Sequence, residues 1–142
     1  MTTKARLFVV GVGLLLVAEP ALAHHSFAAE FDEKQPIRLV GTLTKMDWVN
    51  PHGWLYIDVT GPDGKMVTWA IEAGSPNSLL RRGLRKENFP IGSKVVVEGF
   101  RAKSGKPAAN GRTVTFPDGT NFFLGSSGSG APNDGAERSQ KP

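Results

Sequence analysis

The chain of 142 residues has no cysteine. That excludes disulfides and thiolate metal ligands, and it leaves the fold to stand on its apolar core. The longest run without a polar side chain, Leu7 to Ala18, has 12 residues, whereas a bilayer span needs roughly 20. There is no HExxH helix, no phosphate-binding glycine loop and no nucleophile elbow, so the common hydrolase and nucleotide signatures are missing. The formal charge of +4 is mild. It falls short of the concentrated basic face expected of a nucleic-acid binder.

What is present begins with an export signature. Lys4 and Arg6 precede the short apolar run, and Ala21-Leu22-Ala23 supplies the small-x-small pattern of a cleavage site. No Cys follows it and no twin-Arg pair precedes it, which argues against a lipoprotein and a twin-arginine substrate. The expectation is a periplasmic or secreted protein with residues 1–23 removed and no stable membrane anchor afterwards. Residues 24–36 then form an N-terminal arm, 37–124 the folded domain, and 125–142 a disordered tail rich in Gly, Ser and Pro. The mature chain has 119 residues and a net charge of +3, the size of one small domain.

The domain is organised around Met46 to Tyr56, which holds two of the three Trp and the only Tyr. Two strand-like runs meet there at the corner Asn50-Pro51-His52-Gly53. Ile37 to Val49 reads as a long strand that bends at Gly41. In Gly53 to Thr60, Trp54, Tyr56 and Asp58 alternate with Leu55, Ile57 and Val59, and Met66 to Glu72 continues the pattern as a hairpin partner. Ser75-Pro76 and Arg81-Arg82-Gly83 are start and stop signals for a helix of about two turns. Ser93 to Arg101 is a strand, Ser104 to Gly111 a polar loop, and Arg112–Phe116 with Thr120–Leu124 a closing hairpin around Pro117-Asp118-Gly119. The order predicts an all-β fold with one short helix, an OB-fold-like Greek-key barrel of five to six strands. A sandwich or an open meander with one helix is the alternative.

Ala-His-His-Ser-Phe at 23–27, Gly-Thr-Leu-Thr-Lys at 41–45, Trp48-Val49-Asn50-Pro51-His52, Trp69 with Glu72, and Val114 to Gly119 are shared motifs. On them the chain resembles an exported bacterial family known only as a domain of unknown function, over about residues 23–124. The resemblance implies a small secreted or periplasmic β-rich domain and brings no chemistry with it. The chain departs at Leu84, where an aromatic is expected, which assigns that position to packing.

Several groups bear on function. Cleavage after Ala23 makes His24 the first residue, with a free amine beside its own imidazole, and this pair chelates. A further imidazole from His52 completes a three-nitrogen set suited to Cu(II); His25, as second residue, offers another copper mode through the intervening amide. Glu72 and Asp47 are candidate supports around such a site, and the metal set is then His24, His25 and His52. A flexible His-His start and a His52 that only braces its corner is the competing account. Trp48, Trp54, Tyr56 and Trp69 form either a platform for a carbohydrate or peptide or a packing surface beneath Phe27 and Phe31. Arg81, Arg82, Arg85 and Lys86 read as a solvated helix end. The expectation is a small non-enzymatic binding protein with copper or another divalent ion as ligand, copper being the only cofactor implied. Its partner is a metal ion or small ligand, with no nucleic acid. A carbohydrate- or peptide-binding module is the alternative.

Overall fold

The structure is a computed structural model that describes residues 27–125 and 131–132. Six strands follow a single helical turn: α1 (Phe27–Glu30), β1 (Phe31–Asp47), β2 (Trp54–Thr60), β3 (Met66–Glu72), α2 (Pro76–Arg81), a 3₁₀ turn (Lys86–Asn88), β4 (Lys94–Ala102), β5 (Ala108–Thr115) and β6 (Asn121–Phe123). The hydrogen-bonded order is β3-β2-β1-β4-β5-β6, and a parallel pairing of β3 with β5 closes the ring. Five strands thus make a closed barrel with a short helix between the third and fourth, the connectivity expected of an OB-like fold.

The long first strand makes closure possible. Pro36 to Thr42 pairs with β4, and Thr42 to Asp47 pairs with β2, so β1 changes partners at Thr42. Gly41 stands at this crossover, and a Cβ there would lie 2.5 Å from the Asp58 carbonyl oxygen. A register shift between Leu43 and Lys45 adds further bend. The interior is filled by Leu43, Leu55, Ile57, Ile71, Val95, Val97 and Val114, all with almost no exposed surface. Each contributes about 1.5–3 kcal/mol through burial.

α2 closes the barrel with Leu79. Ser75 Oγ accepts the Ser78 N–H at 3.2 Å, Pro76 occupies the first turn, and Gly83 stops the helix at φ +84°. Leu84 is buried in the core, as its packing assignment predicts. Both Pro-Asp-Gly turns carry the i to i+3 hydrogen bond of a type I turn, with Gly64 and Gly119 left-handed.

Three boundaries differ from the sequence expectation. β1 begins at Phe31 because Phe31 pairs with Ala102, and α1 docks Phe27 beside it. β5 begins at Ala108, inside the stretch read as a polar loop. Ala, Asn and Gly are poor strand formers, but this segment is held between β3 and β4, where only small residues fit. A Cβ on Gly111 would meet Ile71 Cγ2 at 2.7 Å. Beyond β6, Gly125 is buried and Ala131 packs against the Phe27–Phe31 cluster, so the folded part extends past residue 124. Residues 1–26, on which the signal-peptide reading falls, and most of 126–142 lie outside the described residues.

Candidate functional site

One ring of cross-strand partners runs around the outside of the barrel: Asp47 opposite Trp54, Trp54 opposite Glu72, Glu72 opposite Asn110, and Asn110 opposite Phe100. Opposed residues project to the same face, so the register alone brings these side chains together. The β2–β3 ladder continues into the corner. Gly53 donates to the Gly74 carbonyl at 3.0 Å, and Ala73 donates to the Gly53 carbonyl at 2.8 Å. His52, two residues before Trp54, therefore returns to the face that carries Glu72. Its Nδ1 lies 4.0 Å from Glu72 Oε1, with side chains 25% and 12% exposed. Asn110 Nδ2 donates to the same Oε1 at 3.3 Å, and Asn110 is buried.

A carboxylate this enclosed on the outside of a barrel is costly unless polar groups compensate it. Among the described residues a ring nitrogen and a primary amide face it. His52, Glu72 and Asn110 form a polar cluster at the corner. Among the described residues no group of three His, Cys, Asp or Glu side chains converges on one point. His52 and Glu72 supply two, and His24 and His25 lie outside the described residues.

The remaining candidates disperse. Asp47 is two strands from Glu72, with Trp54 between them, and its Oδ2 accepts Lys45 Nζ at 2.8 Å. That hydrogen bond, ahead of other effects, raises the Lys45 pKa. Asp47 is thus tied to Lys45 on its own strand. Trp54 and Tyr56 share the outer face, as their alternation predicts, and Lys45 Nζ stands 5.0 Å over the Tyr56 ring. Trp69 is opposite Ile57 and faces the core side, where the Arg101 guanidinium covers its ring at 5.3 Å. Trp48 leaves the strand to pack on Phe89, with ring centroids 6.4 Å apart. The four aromatics do not form one platform.

Nor do the described residues of the arm cover them. Phe27 and Phe31 pack with Phe100 and Ala102, and the Phe27 and Phe100 rings meet edge to face at 5.4 Å. Phe100 is the end of the ring that starts at Asp47, two strands from Glu72. The arm thus enters the described structure on the side of Asn110, not over the Trp48–Tyr56 stretch.

Asn110 is the member sequence reasoning missed. Its neighbours read as loop, and the parallel β3–β5 pairing that delivers it links residues 38 apart. A second aromatic group, Phe89, Phe116 and Phe122, was equally illegible; its centroids are 5.7–6.3 Å apart. Phe116 and Phe122 line a cleft of about 610 Å³ together with Arg82, Asn88 and Asp118. In the basic run, Arg81, Arg85 and Lys86 are exposed. Arg82 instead donates to the Gly125 carbonyl and lies 4.8 Å over the Phe123 ring.

Fold and site together define a small OB-like β-barrel with a half-enclosed His-Glu-Asn group on its outer wall. The chain matches the family of unknown function DUF6152 over residues 12–111 and belongs to it. The match includes the His52 corner, Glu72 and Asn110, and ends before Val114. No curated protein and no solved structure matches the chain.

Proposed function

We propose that this is an exported, non-enzymatic binding protein that takes up Cu(II), or another divalent ion, through the amine and ring of a mature N-terminal His24 together with His52. One observation carries the reading: His52 and Phe27 each contact a member of the same outer ring of side chains, His52 at Glu72 and Phe27 at Phe100. His24 precedes Phe27 by three residues, a span of at most about 11 Å. Glu72 lies two strands from Phe100, about 9.5 Å at ordinary strand spacing, and Phe100 is in ring contact with Phe27. The two distances are comparable, which supports an approach of His24 to the Glu72 end of the ring, where His52 stands.

An amine and two imidazoles in a plane suit Cu(II), which also heads the affinity order of the divalent ions. Glu72 supports the ring of His52, and His25 supplies a further nitrogen close to the amine. All of these donors bind only when deprotonated, so affinity falls as pH drops through the histidine range. Export and removal of residues 1–23 are part of the proposal, because the His24 amine is an amide nitrogen until Ala23 has gone.

The test compares a chain beginning at His24 with the same chain acetylated on its α-amine, titrated with Cu(II) against a competing chelator. A start at Ala23 is no control, because it makes His25 the third residue and so creates a separate amine–amide–imidazole copper chelate. Tight binding by the free amine and its loss on acetylation is the expected result. Equal affinities overturn the reading. Carbohydrate or peptide binding has one observation in its favour, the pairing of Trp54 with Tyr56 on the outer face. It predicts binding that is lost in Trp54→Ala and unaffected by acetylation of the His24 amine.

A further inference from the structure

The arrangement around Glu72 does more than place a carboxylate near a metal. Glu72 Oε1 is shared: Asn110 Nδ2 donates to it at 3.3 Å, and His52 Nδ1 faces it at 4.0 Å. Asn110 is itself well held. Its backbone lies in β5 between two partner strands, opposite Glu72 on one side and Phe100 on the other, and its side chain is buried. The backbone around His52 is fixed in turn by the Gly53 and Ala73 hydrogen bonds to the facing strand.

A neutral imidazole carries its single proton on one nitrogen or the other, and a neighbouring hydrogen-bonding group decides which. The carboxylate beside Nδ1 stabilises a proton there and disfavours a lone pair. At 4.0 Å the contact is electrostatic, about 1 Å longer than a hydrogen bond. We infer that Asn110 and Glu72 form a positioning relay that holds His52 in its Nδ1–H tautomer and leaves Nε2 as the metal-binding nitrogen. Asn110 sets the Glu72 carboxylate, Glu72 sets the proton, and the proton sets the donor atom. Neither residue need touch the metal. The relay serves the copper site proposed above, yet it exists without any metal and is read without one.

The experiment is nitrogen-15 NMR of the metal-free full chain near pH 8, about 1.5 units above the ordinary histidine value. Long-range proton–nitrogen correlations distinguish the two tautomers, and a His52→Gln spectrum assigns the His52 signals. The wild type is expected to show His52 mainly as the Nδ1–H form. Glu72→Ala and Asn110→Ala are expected to raise the Nε2–H fraction, and Glu72→Gln, which keeps an acceptor oxygen, to fall between. A wild-type His52 found mainly as Nε2–H overturns the relay, whatever the variants do. So does a tautomer ratio unchanged in folded Glu72→Ala, with folding read from the backbone amide spectrum. Copper titration of the same variants in the chain beginning at His24 separates the two proposals. A relay acting on a ligand predicts a 10–100-fold weaker copper affinity in Glu72→Ala. A tautomer that responds while copper affinity does not leaves the relay standing and overturns the copper reading.

Discussion

Gly99→Ala tests whether the backbone approach that positions Asn110 is as close as the barrel requires. Gly99 faces Gly111 across β4 and β5, next to the bulge that leaves Arg112 without an opposite residue. A Cβ on Gly99 would press into the Asn110 carbonyl, 3.0 Å from its carbon, and lie 3.2 Å from the Gly111 Cα. These are backbone atoms, so no side chain can swing away. Relief requires the strands to part by about 1 Å, more than a ladder hydrogen bond tolerates. Overpacking of this kind costs about 1–3 kcal/mol, and each weakened hydrogen bond adds about 1 kcal/mol. A total near 3 kcal/mol lowers Tm by about 12–24 °C in a domain of this size. The control is Gly105→Ala, whose Cβ meets nothing within 4 Å but whose φ is +76°. It costs about 1–2 kcal/mol through conformation alone. Urea and thermal unfolding followed by circular dichroism give both values. A Gly99→Ala loss no larger than the Gly105→Ala loss refutes the close-approach argument.

Two further outcomes follow from the same contacts. Phe100→Ala removes the ring on which Phe27 and Phe31 dock. It is expected to cost about 3 kcal/mol and to speed amide exchange in residues 27–31 before the barrel core; exchange that stays slow there contradicts the docking. Asp32 accepts the Lys34 N–H and, secondarily, Gln35 Nε2, which holds its carboxyl below the ordinary range. A depressed folded value means stability that is present above the unfolded value and lost as pH falls through the folded one. Carboxyl titration by NMR should therefore find Asp32 below the ordinary aspartate range, and Asp32→Asn should flatten the acid limb of the stability curve.

The legible part of this fold is the part that is local. Alternation in Trp54–Thr60 and Met66–Glu72 specifies a hairpin and its inward face, and Ser75, Pro76 and Gly83 delimit a helix, because each signal lies within a few residues of its effect. The β5 start at Ala108 was not legible, since its small residues answer to strands far off in sequence. The same holds for the site. His52 and Glu72 stand out by residue type, whereas Asn110 matters only through the parallel closure of the barrel. Trp69 differs again: its strand alternation already placed it with Val67 and Ile71, so its separation from Trp54 was available from the period of two.

The central claim is that His52 shares a metal with the amine created at His24. Its most direct measurement is the copper dissociation constant of the chain beginning at His24, beside that of its His52→Ala variant. Losing a ligand, which matters at least as much as losing a supporting group, predicts an affinity at least about tenfold weaker in the variant. Equal affinities would contradict the account and leave His52 as a support of its corner.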